Sequence, residues 1–405
     1  MKKVNLSISK ALIFLAYIFI SFSGIPYISA LEIPLKVEVV TSIPVETSLK
    51  GKGTRRASEV WVEMINKAGI SIDFAEFYLI SEKNELLEPV INALKKASAR
   101  GVKIRFLIDK KMLNTSGPLK TRLESIKNVD LKIFDWSELG GGIVHAKYFI
   151  VDNREVFIGS QNFDWRALKH IHETGLRISE PGIVMDLKRI FEVDWKYNSG
   201  DETAYSFQSE ISEKDKNTDM FLTASPEKFN PPGIESSLKK LKEMINGAEK
   251  SINIQLLNYK TRIYKSDKEF TELYEVLVKA ARRGVQIKFA VADWNLKKPG
   301  IESIKSLAKV NGIIVKVFTI PEYSKGFIPY SRVIHSKVMR VDDHISWVGT
   351  SNWGHDYFYS SRNVEVVLKL KKVALILDSL FEELWDSEYG QILDPEKEYI
   401  APKTH

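Results

Sequence analysis

The chain reads V-H-A-K-Y-F-I-V-D-N-R-E-V-F-I-G-S-Q-N from Val144 to Asn162 and I-H-S-K-V-M-R-V-D-D-H-I-S-W-V-G-T-S-N from Ile334 to Asn352. Each stretch has a histidine, a lysine two residues on and an aspartate five beyond that. These are His145, Lys147 and Asp152, then His335, Lys337 and Asp342. Gly159, Ser160 and Asn162 close the first stretch; Gly349, Thr350 and Asn352 close the second. Residues two apart on a strand face the same side, so each histidine shares one space with its lysine. The aspartates fall where the strand ends, before Asn153 and Asp343, and suit the turn of a hairpin.

Outward from the motifs the repeat continues. Ser71-Ile72-Asp73-Phe74 returns as Ser251-Ile252-Asn253-Ile254, Ala97 to Asp109 as Ala280 to Asp293, and Leu131-Lys132-Ile133-Phe134 as Val315-Lys316-Val317-Phe318. The offset grows slowly towards the 190 residues that separate His145 from His335, as a duplication with loop insertions leaves it. Within the first copy, strands are predicted at Leu35–Val40, Ile70–Ile80, Val102–Asp109 and Val129–Phe134. Helices are predicted at Ala57–Ala68, Leu86–Ala99 and Leu119–Ile126, the last after a polar loop with Ser116, Gly117 and Pro118. This alternation predicts an α/β protein of two pseudo-symmetric α/β/α lobes with mostly parallel sheets and one active site shared at their interface. The expected division is a lobe at 31–200, a polar connector at 201–220, a lobe at 221–395 and a loose tail at 396–405. Both halves of the site lie in one chain, so no oligomer is required.

The composition, 44% hydrophobic and 27% charged, excludes a disordered or fibrous chain. With no cysteine, disulfides, zinc–thiolate sites and a cysteine nucleophile are excluded. The net charge of +7 owes three charges to Lys2, Lys3 and Lys10 and favours anionic partners only mildly. Those lysines precede an uncharged run from Ala11 to Ala30, an export signal. Within 1–30 it is either a signal peptide cleaved after Ala30 or a membrane anchor whose lysine end stays inside. In both cases the remainder lies outside the cytoplasm, secreted, periplasmic, lumenal or membrane-anchored.

Breaking a phosphodiester requires a nucleophile, a proton donor for the leaving oxygen and positive charge around the phosphoryl oxygens. Two histidines and two lysines match that requirement. Asn162 and Asn352, with the hydroxyls of Ser160 and Thr350, are candidates to help the lysines hold the phosphate. Each imidazole also needs a group to orient it through its second nitrogen. Glu173 and Glu365 lie downstream at similar distances and are the candidates. His170, His172, His344 and His355 show no metal-ligand spacing. Trp165, Trp353, Tyr357, Phe358 and Tyr359 follow the hairpins and suit either the core or base stacking.

On its paired motifs the chain resembles the phospholipase D superfamily, from Val37 to Tyr389. Phe163-Asp164-Trp165-Arg166-Ala167-Leu168, Glu173-Thr174-Gly175, Thr350-Ser351-Asn352-Trp353 and the I-F-E-V-D-W run at Ile190 to Trp195 resemble the branch of membrane-anchored lysosomal 5′ exonucleases and poxvirus envelope proteins. The superfamily resemblance implies a cleft between lobes, a phosphohistidine intermediate, His145 as nucleophile and His335 as acid, and neither metal nor cofactor. The branch implies single-stranded DNA or RNA as substrate. The alternatives are a phospholipase D acting on phosphatidyl headgroups, by hydrolysis or transphosphatidylation, and a membrane-associated structural protein. Lacking cysteine, the chain lacks the disulfides of the animal members.

Overall fold

Val60, Trp61, Met64 and Ile65 give α1 (Ala57–Lys67) one apolar face, and all four are buried. In the computed structural model, which describes residues 36–207 and 218–405, α1 and α2 (Leu87–Ala99) cover the outer side of a sheet. Its strands are β1 (Val37–Ser42), β2 (Ser71–Glu76), β3 (Lys103–Asp109), β4 (Val129–Phe134), β5 (Lys147–Val151), β6 (Glu155–Gly159) and β7 (Glu173–Ile178). They lie in the order β1–β7–β6–β5–β2–β3–β4, with Arg55–Arg56 beyond β1. Under α1, Trp61 meets Phe149, Phe157 and Phe163 at ring separations of 5.3–5.9 Å. Each such pair contributes about 1 kcal/mol beyond area burial, which ties the helix to the motif hairpin β5–β6.

The second sheet repeats the first. Its strands β8 (Met220–Ser225), β9 (Ser251–Leu256), β10 (Gln286–Ala292), β11 (Ile313–Phe318), β12 (Val338–Val341), β13 (Ile345–Gly349) and β14 (Asn363–Leu368) run β8–β14–β13–β12–β9–β10–β11, with short edge strands at Glu235–Ser236 and Gly390–Ile392. Parallel pairing holds where helices cross over, in β2–β3–β4 and β9–β10–β11. In the other half the motif hairpins reverse the chain, and β5, β6, β7 and β1 pair antiparallel, as do β12, β13, β14 and β8. The first reversal uses Asp152 and Asn153, both at φ +53°, the left-handed pair that a tight hairpin turn needs. The sheets are thus mixed, with the long parallel run on the crossover side and one short parallel pair at the other edge, Arg55–Arg56 beside β1 and Glu235–Ser236 beside β8.

Between the sheets lies a shared apolar core. It includes Val39 and Leu176 of the first sheet, Val364 and Val366 of the second, Leu187 and Phe191 of α4 (Pro181–Tyr197) and Leu377 of α7 (Lys371–Trp385). On the far side of the second sheet, α5 (Ser237–Gly247) and α6 (Glu272–Arg282) mirror α1 and α2.

Three expectations change. Helix α3 (Leu113–Glu124) contains Ser116, Gly117 and Pro118 rather than following them, because buried Ser116 accepts the Leu79 N–H at 3.1 Å and anchors the turn. The polar stretch 201–220 is not simply a solvated connector, since the Tyr205 hydroxyl donates to Asp194 at 2.6 Å and its ring packs on Trp136 and Phe229; residues 208–217 lie outside the described residues. The tail 396–405 is tied down, with Tyr330 N–H donating to the Thr404 carbonyl at 2.9 Å and His405 stacked on Tyr330. The export segment also falls outside the described residues, and none of the described helices is long and apolar enough to cross a membrane.

Candidate active site

His145 and His335 sit just ahead of β5 and β12, held by backbone bonds from the opposite copy. His145 N–H donates to the Arg362 carbonyl at 2.9 Å and Arg362 N–H to the Ile143 carbonyl at 2.9 Å. Their counterparts 190 residues away are His335 N–H to the His172 carbonyl at 2.8 Å and His172 N–H to the Val333 carbonyl at 3.0 Å. This exchange brings both motifs into one buried site. Arg362 is itself fixed by a fully buried ion pair with Asp194 at 2.7 Å. Gly159 lies opposite Gly175, where a Cβ would come within 2.6 Å of the neighbouring Cα, so the close strand approach behind the motif requires glycine.

The second nitrogen of each imidazole also meets the other copy. His335 Nδ1 lies 2.8 Å from Glu173 Oε2. Glu173 therefore serves the distant histidine. His145 Nδ1 lies 2.9 Å from Asn363 Oδ1, not from Glu365. Asn363 Nδ2 donates to the Tyr357 carbonyl at 2.8 Å and the Ser361 carbonyl at 3.2 Å, which turns Oδ1 towards the ring. His145 must then carry its proton on Nδ1 and keep the Nε2 lone pair free.

Glu365 belongs to a different cluster, accepting from the hydroxyls of Ser237, Ser351 and Thr223. Its assignment as an orienting group is corrected to Asn363, the residue that stands 190 positions after Glu173. Burial pushes the Glu365 carboxyl up to about 7, although the hydroxyls oppose the shift. A raised folded value means the native state holds the proton more tightly than the unfolded chain, so the added stability is present below about 4.5 and lost as pH rises through about 7. Relative to Glu365→Gln, the wild type is expected to lose roughly 3 kcal/mol of unfolding free energy between those pH values. Urea unfolding at both ends of the range checks this; a pH-independent difference would refute it.

Burial lowers both imidazoles well below the ordinary histidine range, and each feels both lysines. Glu173 is pushed up to about 7 by the same burial, and its contact with His335 joins the two titrations into one. Lys147 is brought down to about 7 by burial, against the attraction of Glu76 and Glu173. Lys337 falls well below its usual value for the same reason, with Glu173 opposing. Both ammonium groups donate to the carbonyl of their own motif histidine at 2.6 Å. Glu76 had no motif to mark it, yet antiparallel pairing sets it directly across from Lys147.

The remaining motif residues support the site. Asp152 accepts the N–H groups of Gly69, Ile70 and Ser71 at 2.7–2.9 Å, and Asp342 those of Glu249, Lys250 and Ser251 at 2.7–3.1 Å. Each carboxylate locks the hairpin turn to the start of the neighbouring strand. Ser160 exchanges hydrogen bonds with the Thr174 backbone, and Thr350 donates to Asn363 Oδ1 at 3.0 Å. Their hydroxyls are thus engaged within the protein and position neighbours, contrary to the expected phosphate contact. Asn352 Oδ1 accepts the Asn258 N–H at 3.2 Å, while Asn162 is buried with its Oδ1 unpartnered among the described residues. His172 Nδ1 meets Gln255 Nε2 at 3.0 Å, and His344 and His355 pair with adjacent aspartates. Trp353 and Phe358 are core residues, whereas the Tyr357 ring lies 5.0 Å from that of His145.

Beyond Tyr357 a cleft of about 1030 Å³ opens between the two copies. Ile143, Tyr357 and Ser361 link its inner end to His145, and lysines and an arginine line its walls. None of these lysines, nor the arginine, stood out in the sequence, because they lie away from the paired motifs, on the connections that follow strands.

A fold made of two such halves, with crossed histidines and buried lysines, defines a class of duplicated phosphodiester-cleaving enzymes. The chain matches the family described as "Cardiolipin synthase, PLD-like domain" over residues 61–195 and 241–385, and so belongs to the phospholipase D-like family of phosphodiesterase enzymes. It is 28% identical to a probable phospholipase D of Caenorhabditis elegans, over 92% of this chain and 73% of that one. It is equally identical to the 5'-3' exonuclease PLD3 of Xenopus laevis, over 87% and 80%. The phosphatidylserine synthase of Haemophilus influenzae shares the fold at a TM-score of 0.62 and 10% identity, over 88% of this chain and 87% of that one.

Proposed function

We propose that the chain is a phosphodiesterase that degrades single-stranded nucleic acid from its 5′ end, outside the cytoplasm, through a covalent phosphohistidine. The observation that carries the mechanism is the unequal pair of partners at the two imidazoles. Asn363 holds His145 neutral with Nε2 unprotonated, while His335 and Glu173 hold one proton between them that the imidazole can carry and pass on through Nε2. His145 Nε2 attacks phosphorus, the bond to the leaving oxygen breaks, and that oxygen takes the proton of His335. Neutral His335 then removes a proton from water as it attacks phosphorus; the P–N bond breaks, and both histidines return to their first state. Lys147 and Lys337, with the Asn162 and Asn352 amides, hold the charge on the phosphoryl oxygens.

Nucleic acid is favoured over lipid by the cleft beside His145, whose lining sets six cations against the four carboxylates of Asp109, Asp135, Glu302 and Asp356 and so keeps an excess of positive charge for a polyanion. Relatives named phospholipase D keep the lipid alternative in view. The test is to give the protein a 5′-hydroxyl single-stranded oligonucleotide and phosphatidylcholine side by side. Progressive shortening without choline release is expected; choline release alone would replace the nuclease with a lipase.

A further inference from the structure

The two copies differ at a loop that faces the cleft. Residues 257–271 connect β9 to α6, whereas residues 77–86 make the matching connection from β2 to α2. Across this segment the repeat offset grows from 180, Ser71 to Ser251, to 183, Gly101 to Gly284. The longer loop is folded, not loose. Lys260 N–H donates to the Trp353 carbonyl at 2.9 Å, Thr261 N–H to Ser303 Oγ at 3.0 Å, and the backbone of Arg262 pairs antiparallel with that of Glu269.

This ledge carries Lys260, Arg262, Tyr264 and Lys265 along one wall of the cleft, and Lys111 of the first copy lines the same space. All four cations are exposed and form no ion pair among the described residues, although Asp356 attracts Lys260. The other cleft lysines, Lys110 and Lys298, are already matched by Asp135 and Glu302. Tyr264 is 73% exposed, with the Lys265 ammonium 5.3 Å from its ring centre. A large aromatic left in water contributes little to folding, and neighbouring unpaired cations repel one another. Uncompensated positive charge alternating with an exposed ring is what a single-stranded polynucleotide requires, since phosphates need cations and bases need a stacking surface.

We infer that the 260–265 ledge and Lys111 form the track for a single strand whose scissile phosphate lies at His145. The cations hold phosphates beyond the cleaved bond and Tyr264 stacks one base. This rests on the nuclease reading and assigns the residues that distinguish a polynucleotide from a small diester.

The experiment compares kcat/KM for an oligonucleotide of about 12 nucleotides with that for bis(p-nitrophenyl) phosphate, across a salt series. The variant Lys260→Ala/Arg262→Ala/Lys265→Ala is expected to lose roughly 100-fold on the oligonucleotide at low salt and less than about 3-fold on the small diester. Its logarithmic salt dependence should flatten by roughly 2, at about 0.7 per lost phosphate contact. Tyr264→Ala should lose roughly 10-fold, on the oligonucleotide only. Wild-type oligonucleotide cleavage and salt slope in the triple variant would overturn the track, as would equal losses on both substrates. Should the wild-type protein hydrolyse the small diester but no oligonucleotide at any salt, the nuclease reading itself fails.

Discussion

His145→Asn is expected to lower turnover by about 10⁴-fold or more and to give no burst of product, because it removes the atom that bonds to phosphorus. His335→Asn should behave differently. The lost acid costs about 10²–10⁴-fold on an oligonucleotide, whose leaving alkoxide needs a proton. A p-nitrophenyl ester departs without one, so on that substrate this variant should release one equivalent rapidly and then stall. The stall arises because no base remains to activate water, leaving phosphate on His145. Rapid mixing reads the burst, and mass measurement of the quenched protein locates the phosphoryl group. A burst from His145→Asn and none from His335→Asn would exchange the roles; full activity in both variants would remove the site altogether. Asparagine is close to histidine in size, and the backbone bonds that place each position, His145 to Arg362 and His335 to His172, do not use the ring. Unchanged thermal unfolding is the accompanying control.

The crossover half of each sheet was legible because apolar spacing and glycine stops encode it locally. Residues 102–109 and 129–134 fall on observed strands, with bounds that agree to within a residue. The antiparallel half was legible only as hairpins, since spacing along a strand does not reveal its neighbour. That gap hid Glu76, which meets Lys147 solely through antiparallel register. For the orienting groups, a search for a second carboxylate led to Glu365, while the 190-residue offset leads from Glu173 to Asn363. Position in the repeat outweighed residue type because the two copies share backbone geometry but not charge. The hydroxyls of Ser160 and Thr350 carried no mark of being engaged by Thr174 and Asn363, since those bonds depend on strands brought together by the fold. Nor did the cleft announce itself, as three of its cations, Lys260, Arg262 and Lys265, sit on a loop that is longer in one copy than in the other.

Charge asymmetry at the imidazoles leads to the second large effect. Glu173→Gln keeps a hydrogen-bonding group beside His335 Nδ1 but removes the negative charge that favours the imidazolium, an effect of about 1–3 pKa units at such a distance. Less of His335 is then protonated near neutrality. The expected result is a loss of about 10²–10³-fold in kcat/KM on an oligonucleotide and no more than about 10-fold on the p-nitrophenyl ester, with the basic limb of the pH profile moved down. A merely structural role would depress both substrates equally and leave the limb in place. Asn363→Asp makes the opposite change. A carboxylate at His145 Nδ1 raises that imidazole by about 1–3 units, so His145 stays protonated and unable to attack to higher pH, and the acidic limb moves up. Combining the two moves the carboxylate from one histidine to the other without altering the cleft, which still opens on the His145 side. If partner charge alone assigned the roles, the double variant would recover activity by exchanging them. Because the cleft also fixes how the strand approaches, the double variant should remain at or below Glu173→Gln, with single-turnover rates on the oligonucleotide as the measurement that decides.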